Sequence, residues 1–252
     1  MGAFALTPGM LLGLVGVFIV ARVFLTVRAV RTNVQGKATS FAREYLDPFI
    51  YAGIAAFLLI TFVARTYYIP SGSMIPTLQV GDVLLVNKFE YRFHAPNEGD
   101  VVVFPPPLPS PDDFIKRVIG RPGDTLEIKN GVVILNGKPL TEPYIAQPPD
   151  YNLVVKNYGI YVQDPGGTYQ ALDPSQANIP PRKDWSAPNR IPANCYFMMG
   201  DNRNDSEDSH IWGFAQVRGT FESGPREGQQ AHFTGHAFLI FWPLNRARIL
   251  WR

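Results

Sequence analysis

The sequence predicts a mainly β fold: a membrane-anchored β-sheet domain with a β/loop insertion, preceded by two N-terminal transmembrane helices. Three observations carry this prediction. Two apolar stretches lie within the first 65 residues. From Gln79 onward the chain is a series of short Val-, Ile- and Leu-rich runs punctuated by Gly, Pro, Asn and Asp. That region also lacks the long helical periodicity that a βαβ fold requires.

Along the chain, Met1 to Ala21 contains no charged side chain, and after Arg22 the run stays apolar to Val27. Residues 1–27 are therefore read as a short tail and a first span. A cleaved secretion signal would need a basic start, which Met1-Gly2-Ala3-Phe4-Ala5 does not supply. Arg22 is compatible with a span because a guanidinium near a helix end can snorkel to the interface. Residues 28–47 form a basic loop. Pro48 to Ala64 is uncharged, long enough for a second span, and closed by Arg65-Thr66-Tyr67-Tyr68 as a membrane boundary would be. A buried core helix is the other reading of this stretch. Between the two stretches lie Arg22, Arg28, Arg31, Lys37 and Arg43 against only Glu44 and Asp47. That excess of cations predicts a cytoplasmic loop, with everything after residue 65 on the outer side of the plasma membrane.

The outer region divides into a first part of a β core (66–142), a proline-rich insertion (143–192) and a second part of the core (193–252). Expected strands in the first part are Val80–Val86, Asp100–Phe104, Phe114–Ile119, Thr125–Ile128 and Val132–Leu135. Asn130-Gly131 between the last two suits a type I′ hairpin turn. In the insertion, nine prolines interrupt a polar, tyrosine-bearing stretch that shows no chemistry of its own. Order returns at Ala193–Met199, and Ala237–Trp242 is the last expected strand.

Composition excludes several functions. A formal charge of +2 without a basic stripe argues against nucleic acid as a partner. Cys195 is the only cysteine, so no internal disulfide is possible. The acidic run Asp201–Asp208 is a poor calcium loop, since Arg203 falls at a ligand position and the central glycine and terminal glutamate are missing. His232 and His236 flank Thr234-Gly235 and complete no ligand set with His94 and His210. No metal or cofactor is expected.

Two segments carry chemistry. Ile69-Pro70-Ser71-Gly72-Ser73-Met74 follows the second apolar stretch, and Phe114-Ile115-Lys116-Arg117-Val118-Ile119 lies about forty residues on. A serine hydroxyl is a poor nucleophile until a base takes its proton, and a lysine is such a base only when neutral. Taken alone, Pro70–Ser73 also reads as a turn. Yet Ser73 is only eight residues beyond Arg65, and an extended chain covers at most about 3.3–3.6 Å per residue, which keeps a nucleophile there near the membrane surface. On a strand over Asp113–Ile119, Phe114, Lys116 and Val118 share one face, so the lysine sits among apolar side chains. Desolvation there would lower its pKa; the other reading is a lysine snorkelling at a sheet edge.

Ser71-Gly72-Ser73-Met74 with Pro76-Thr77, Lys116-Arg117 with Gly120-Arg121-Pro122-Gly123-Asp124, and Gly200-Asp201-Asn202-Arg203 with Ser206, Asp208 and Ser209 resemble, in order, the signature boxes of bacterial type I signal peptidases. The likeness runs from about Tyr67 to Arg246. It implies Ser73 as nucleophile, Lys116 as general base, the Ser71 hydroxyl with the Ser73 N–H as oxyanion hole, Ser206 as the serine that orients the lysine, and Asp208 and Arg203 as support. It also implies preprotein substrates with small residues such as Ala-X-Ala before the cleavage site, and a lipid bilayer as partner. Ile69, Met74, Leu78 and Ile115 are then candidates to line shallow substrate pockets, or are ordinary core. The cysteine pair of some relatives is absent, and Asn204 and Asp205 receive no role. A self-cleaving Ser/Lys repressor would need a DNA-binding helix pair where this chain has apolar stretches. A tethered binding module with a silent site is the remaining alternative.

Overall fold

The structure, a computed structural model, describes residues 8–31, 42–58, 64–221 and 226–250. The chain divides into two compact units, Met1–Arg65 and Thr66–Arg252.

In the first unit, helix α1 (Pro8–Arg31) packs on helix α2 (Asp47–Leu58), which is entered through a single π-turn at Ala42–Leu46. Gly53 permits close approach, because a Cβ there would lie 2.4 Å from Val15 Cγ2. Phe18 stacks on Phe49 with centroids 5.7 Å apart. Arg22 donates to both Asp47 carboxylate oxygens at 2.8 and 3.3 Å. Among the described residues, no helix is long and apolar enough to cross a membrane, so the two expected spans are not found there. The described part of α2 has 12 residues, about 18 Å at 1.5 Å per residue against a hydrocarbon core of roughly 30 Å. In the longer α1, Arg22 is tied to a carboxylate instead of reaching past a helix end. Residues 1–7 of the first stretch, 32–41 of the basic loop and 59–63 of the second stretch lie outside the described residues.

The β region is formed by β1 (Ala64–Tyr68), β2 (Val83–Asn87), β3 (Val101–Phe104), β4 (Phe114–Gly120), β5 (Leu126–Lys129), β6 (Val132–Leu135), β7 (Lys138–Pro139), β8 (Leu153–Lys156), β9 (Gly159–Gln163), β10 (Tyr169–Ala171), β11 (Cys195–Met199), β12 (Ala215–Gln216), β13 (Arg218–Thr220), β14 (Gln230–His232), β15 (Gly235–Trp242) and β16 (Arg248–Ile249). The main sheet has the order β1-β2-β15-β3-β4-β11-β12, with β16 added on β15. A second sheet has the order β10-β9-β8-β5-β6-β7, and β13 pairs β14 separately. The mainly β prediction therefore holds.

Strand limits follow local chemistry. β2 begins at Val83 instead of Val80 because Gly81 has φ +96° and donates to Ile69 O while Ile69 N donates to Asp82 O, a turn that the apolar count alone does not reveal. At Asn130-Gly131 both residues have positive φ, 51° and 78°, and Lys129 pairs with Val132. Those are the features of the expected type I′ turn. Residues 143–192 extend the β5–β6 hairpin, since β8 pairs β5 and carries β9 and β10 outward from it.

β3 and β4 place the candidate site. All four β3 residues are buried because the sheet is covered on both faces: Val101 and Val103 pack with Met74, Leu78 and Leu84, whereas Val102 and Phe104 pack with Val118, Met198, Trp212 and Phe233. β4 lies between β3 and β11 and is buried from Lys116 to Gly120. A strand so enclosed reads as a continuous apolar run. β4 departs from that pattern at two consecutive residues, Lys116 and Arg117.

Candidate functional site

The segment Ile69–Leu78 is a loop fixed at several points. Ile69 joins the Gly81–Asp82 turn, Ile75 N donates to Gly72 O at 3.0 Å, and Leu78 N donates to Met74 O at 2.9 Å. Met74 and Leu78 sink into the core below it. Between these anchors Ser73 is half-buried, and its Oγ accepts a hydrogen bond from Lys116 Nζ at 2.8 Å. The two residues singled out from the sequence are thus in direct contact.

Lys116 is 4% exposed. Its cross-strand neighbour is Val102, and the Phe114 ring centroid lies 5.5 Å from Nζ, as the alternation along the strand requires. Burial pushes the lysine pKa down to about 8, against the opposing pull of the Asp208, Glu207 and Asp201 charges. Desolvation wins because ammonium loses more hydration than these carboxylates return. In the neutral amine, the same 2.8 Å contact lets the nitrogen lone pair accept the Ser73 O–H.

The segment Gly200–Ser209 is a knot of polar bonds. Asp208 accepts the Gly200 N–H at 3.0 Å and caps the short helix α3 (Ser209–Trp212) through His210 N. The His210 ring Nδ1 lies 2.5 Å from Asp208 Oδ1, and the ring stacks on Tyr151. Asp201 receives Arg117 bidentately at 2.8 and 2.7 Å and accepts the Thr77 hydroxyl. Arg203 forks onto Glu142 and donates to Gly200 O at 3.0 Å. Tyr144 lies over the Arg117 guanidinium at 3.9 Å and donates to Glu142. Asn202 N donates to Ser73 O and Asn202 Nδ2 to Gly72 O, each at 3.1 Å. Asn204 binds Pro148 O and the Asp150 N–H.

The other expected residues fall as follows. Ser206 is buried and its hydroxyl has no hydrogen-bond partner, Lys116 included. It sits against Gly200, where an added Cβ would come within 2.3 Å of Ser206 Oγ and 2.4 Å of Ser73 O. Only glycine fits between the two. Ser71 is exposed on the loop. Ile69, Met74 and Leu78 are almost fully buried in one core cluster, and Ile115 packs against it while keeping part of its surface. The carboxylates of Asp201 and Asp208 are taken up by Arg117, His210 and backbone N–H groups. Among the described residues, no three His, Cys, Asp or Glu side chains are grouped to hold a metal.

Sequence reasoning missed the two buried ion pairs. Arg117 could have been found from its place beside Lys116, since a strand that buries one must turn the other toward the opposite face. Glu142 gives no local sign, because its partner Arg203 is 61 residues away.

A family model described as signal peptidase, peptidase S26, matches residues 42–222. A probable signal peptidase I-1 of Synechocystis sp. is 38% identical over 213 residues, covering 82% of this chain and 85% of that protein. The signal peptidase I of Leptolyngbya laminosa is 37% identical over 219 residues, covering 84% and 85% respectively. A crystal structure of a signal peptidase I from Enterococcus faecalis shares 27% identity and a TM-score of 0.32, over 49% of this chain and 91% of that one.

The buried pairs generate a stability expectation. Asp201→Asn keeps the side-chain shape but leaves the Arg117 charge, 1% exposed, without a counter-ion. Breaking such a pair should lower unfolding free energy by about 3–5 kcal/mol, measured by guanidinium titration of the full chain in detergent. A change under about 1 kcal/mol would mean that Arg117 finds water or another anion.

Proposed function

We propose, because the chain belongs to the type I signal peptidase family, that it is a serine endopeptidase which removes N-terminal signal peptides from exported preproteins. Ser73 is the nucleophile and Lys116 the general base. The observation that carries this reading is the 2.8 Å contact between Lys116 Nζ and Ser73 Oγ, made by a lysine whose burial brings its pKa to about 8.

The chemistry closes on these residues. Ser73 Oγ attacks the scissile carbonyl carbon as its proton passes to the neutral Lys116 amine. The oxyanion that forms is stabilised by the Ser73 N–H and the Ser71 hydroxyl. Lys116 then gives its proton to the leaving amine as the C–N bond breaks, leaving the signal peptide esterified to Ser73. Water, deprotonated by Lys116, attacks the ester and restores the Ser73 hydroxyl. Ser206, whose hydroxyl beside Gly200 is unbonded here, turns onto the Lys116 amine to orient it during the reaction, while Asp208 and Arg203 hold the Gly200 segment. Small side chains before the cleavage site sit against Ile115, which keeps part of its surface, while Ile69, Met74 and Leu78 form the core beneath it.

The N-terminal unit attaches the protein to a lipid bilayer, with the β domain on the outer side of the plasma membrane. This is supported by the apolar surface that α1 and α2 expose, including Val17, Val20, Phe24, Phe49 and Ile54.

Three outcomes are expected. Ser73→Ala and Lys116→Met should each lower cleavage of a preprotein by about 10⁴-fold or more, whereas a silent binding module predicts no cleavage by the unaltered chain. Raising pH from 6 should increase kcat/KM until Lys116 is neutral, with a midpoint near 8, because only the unprotonated amine accepts the serine proton. A profile flat through that range would rule out a lysine base. Finally, the full chain should float with phosphatidylcholine vesicles in a density gradient; recovery in the dense fraction would remove the membrane assignment.

A further inference from the structure

We infer that Asn202 is a positioning residue for the oxyanion site: its side chain locks the Gly72–Ser73 peptide so that the Ser73 N–H faces the substrate carbonyl. This rests on Ser73 being the nucleophile. The geometry is specific. Gly72 O accepts from Asn202 Nδ2 and Ser73 O accepts from Asn202 N, each at 3.1 Å, so one residue holds the carbonyls on both sides of the serine. The Gly72–Ser73 bond is trans. In a planar trans peptide, N–H and C=O point in opposite directions. Fixing Gly72 O toward Asn202 therefore turns the Ser73 N–H away from it. Among the described residues that N–H has no hydrogen-bond acceptor, which leaves it available to an oxyanion.

A clamp is needed because Gly72 lacks a Cβ. Glycine moves freely between backbone regions, so this peptide plane can flip at little cost unless something holds its oxygen. Ile75 N holds it from within the loop at 3.0 Å, and Asn202 holds it from the facing segment. The amide orientation follows from its neighbours. Asn202 Nδ2 lies 3.1 Å from Gly72 O and 3.4 Å from Asp205 Oδ2, and both can only accept. Asp205 thereby gains a role, aiming the Asn202 amide.

Asn202→Asp provides the test, since it keeps shape and backbone bonds but sets a carboxylate oxygen against Gly72 O. In the full chain in detergent, kcat for a signal-peptide substrate should fall roughly 10–100-fold, up to the cost of losing one oxyanion donor. KM should stay within about threefold, and in the uncharged Asn202→Ala the acid-side midpoint should not move, because the Lys116–Ser73 contact is untouched and no carboxylate is added near the lysine. A peptide boronate, which forms a tetrahedral adduct on Ser73, should lose affinity by a similar factor, and the cleaved signal peptide should not. Asn202→Ala, which adds no charge, gives the same comparison should the aspartate variant not fold. Parent-like kcat and boronate affinity would overturn the inference, as would a loss seen only as a lowered melting temperature. Cleavage surviving Ser73→Ala would instead overturn the nucleophile assignment, a result distinct from an inactive Ser73→Ala alongside parent-like Asn202 variants.

Discussion

The structure depends on one constraint: an amine must lose its proton inside a sheet that is covered on both faces. Lys116 is enclosed by its strand neighbours, and the atom it touches is a hydroxyl instead of a carboxylate. Had a carboxylate occupied the place of Ser73 Oγ, the ammonium would be stabilised and the lysine useless as a base. The loop from Ile69 to Leu78 exists to bring a hydroxyl there. Its ends are fixed to the core by Ile69 and Leu78, and its middle is held by Met74 from below and by Asn202 from the facing segment.

Much of this was legible in the sequence because its signals are local. Asn130-Gly131 announces a turn by dihedral preference, and the Val- and Ile-rich runs announce strands of a two-sided core. The alternation of Phe114, Lys116 and Val118 places a lysine on an apolar face. What stayed illegible depends on partners distant in the chain. The Arg203–Glu142 and Arg117–Asp201 pairs join residues 61 and 84 positions apart, and no periodicity connects them. Met74 and Leu78 read equally as pocket or core because an apolar side chain carries no sign of what covers it; their burial in the structure is that of core. The N-terminal stretches show the same difficulty from another side. Their composition points to spans, but hydropathy does not reveal that Arg22 meets Asp47.

Gly200 shows how closely the elements approach. Its missing side chain leaves room for both the Ser73 carbonyl and the Ser206 hydroxyl, while its own N–H and C=O are taken by Asp208 and Arg203. The polar knot around it serves geometry more than stability, because replacing well-made buried ion pairs with apolar groups is often neutral or stabilising. What it secures is the spacing between two loops that carry the reacting groups.

Adjacent residues with nearly equal burial meet opposite electrostatic fates. Arg117 keeps its charge because a guanidinium stays protonated in proteins and its planar fork matches the two oxygens of Asp201. Lys116, one residue away, has only more distant carboxylates to hold its proton, and two of them, Asp201 and Asp208, are already engaged. Asp201 faces Arg117, and Asp208 faces His210 and backbone N–H groups. Each bond these acids make elsewhere weakens their pull on the lysine, so burial prevails and the pKa settles near 8. The arginine therefore does more than brace the fold. By pairing with Asp201 it offsets one of the three carboxylates that favour a charged Lys116, and a base emerges from the same strand that buries a permanent cation.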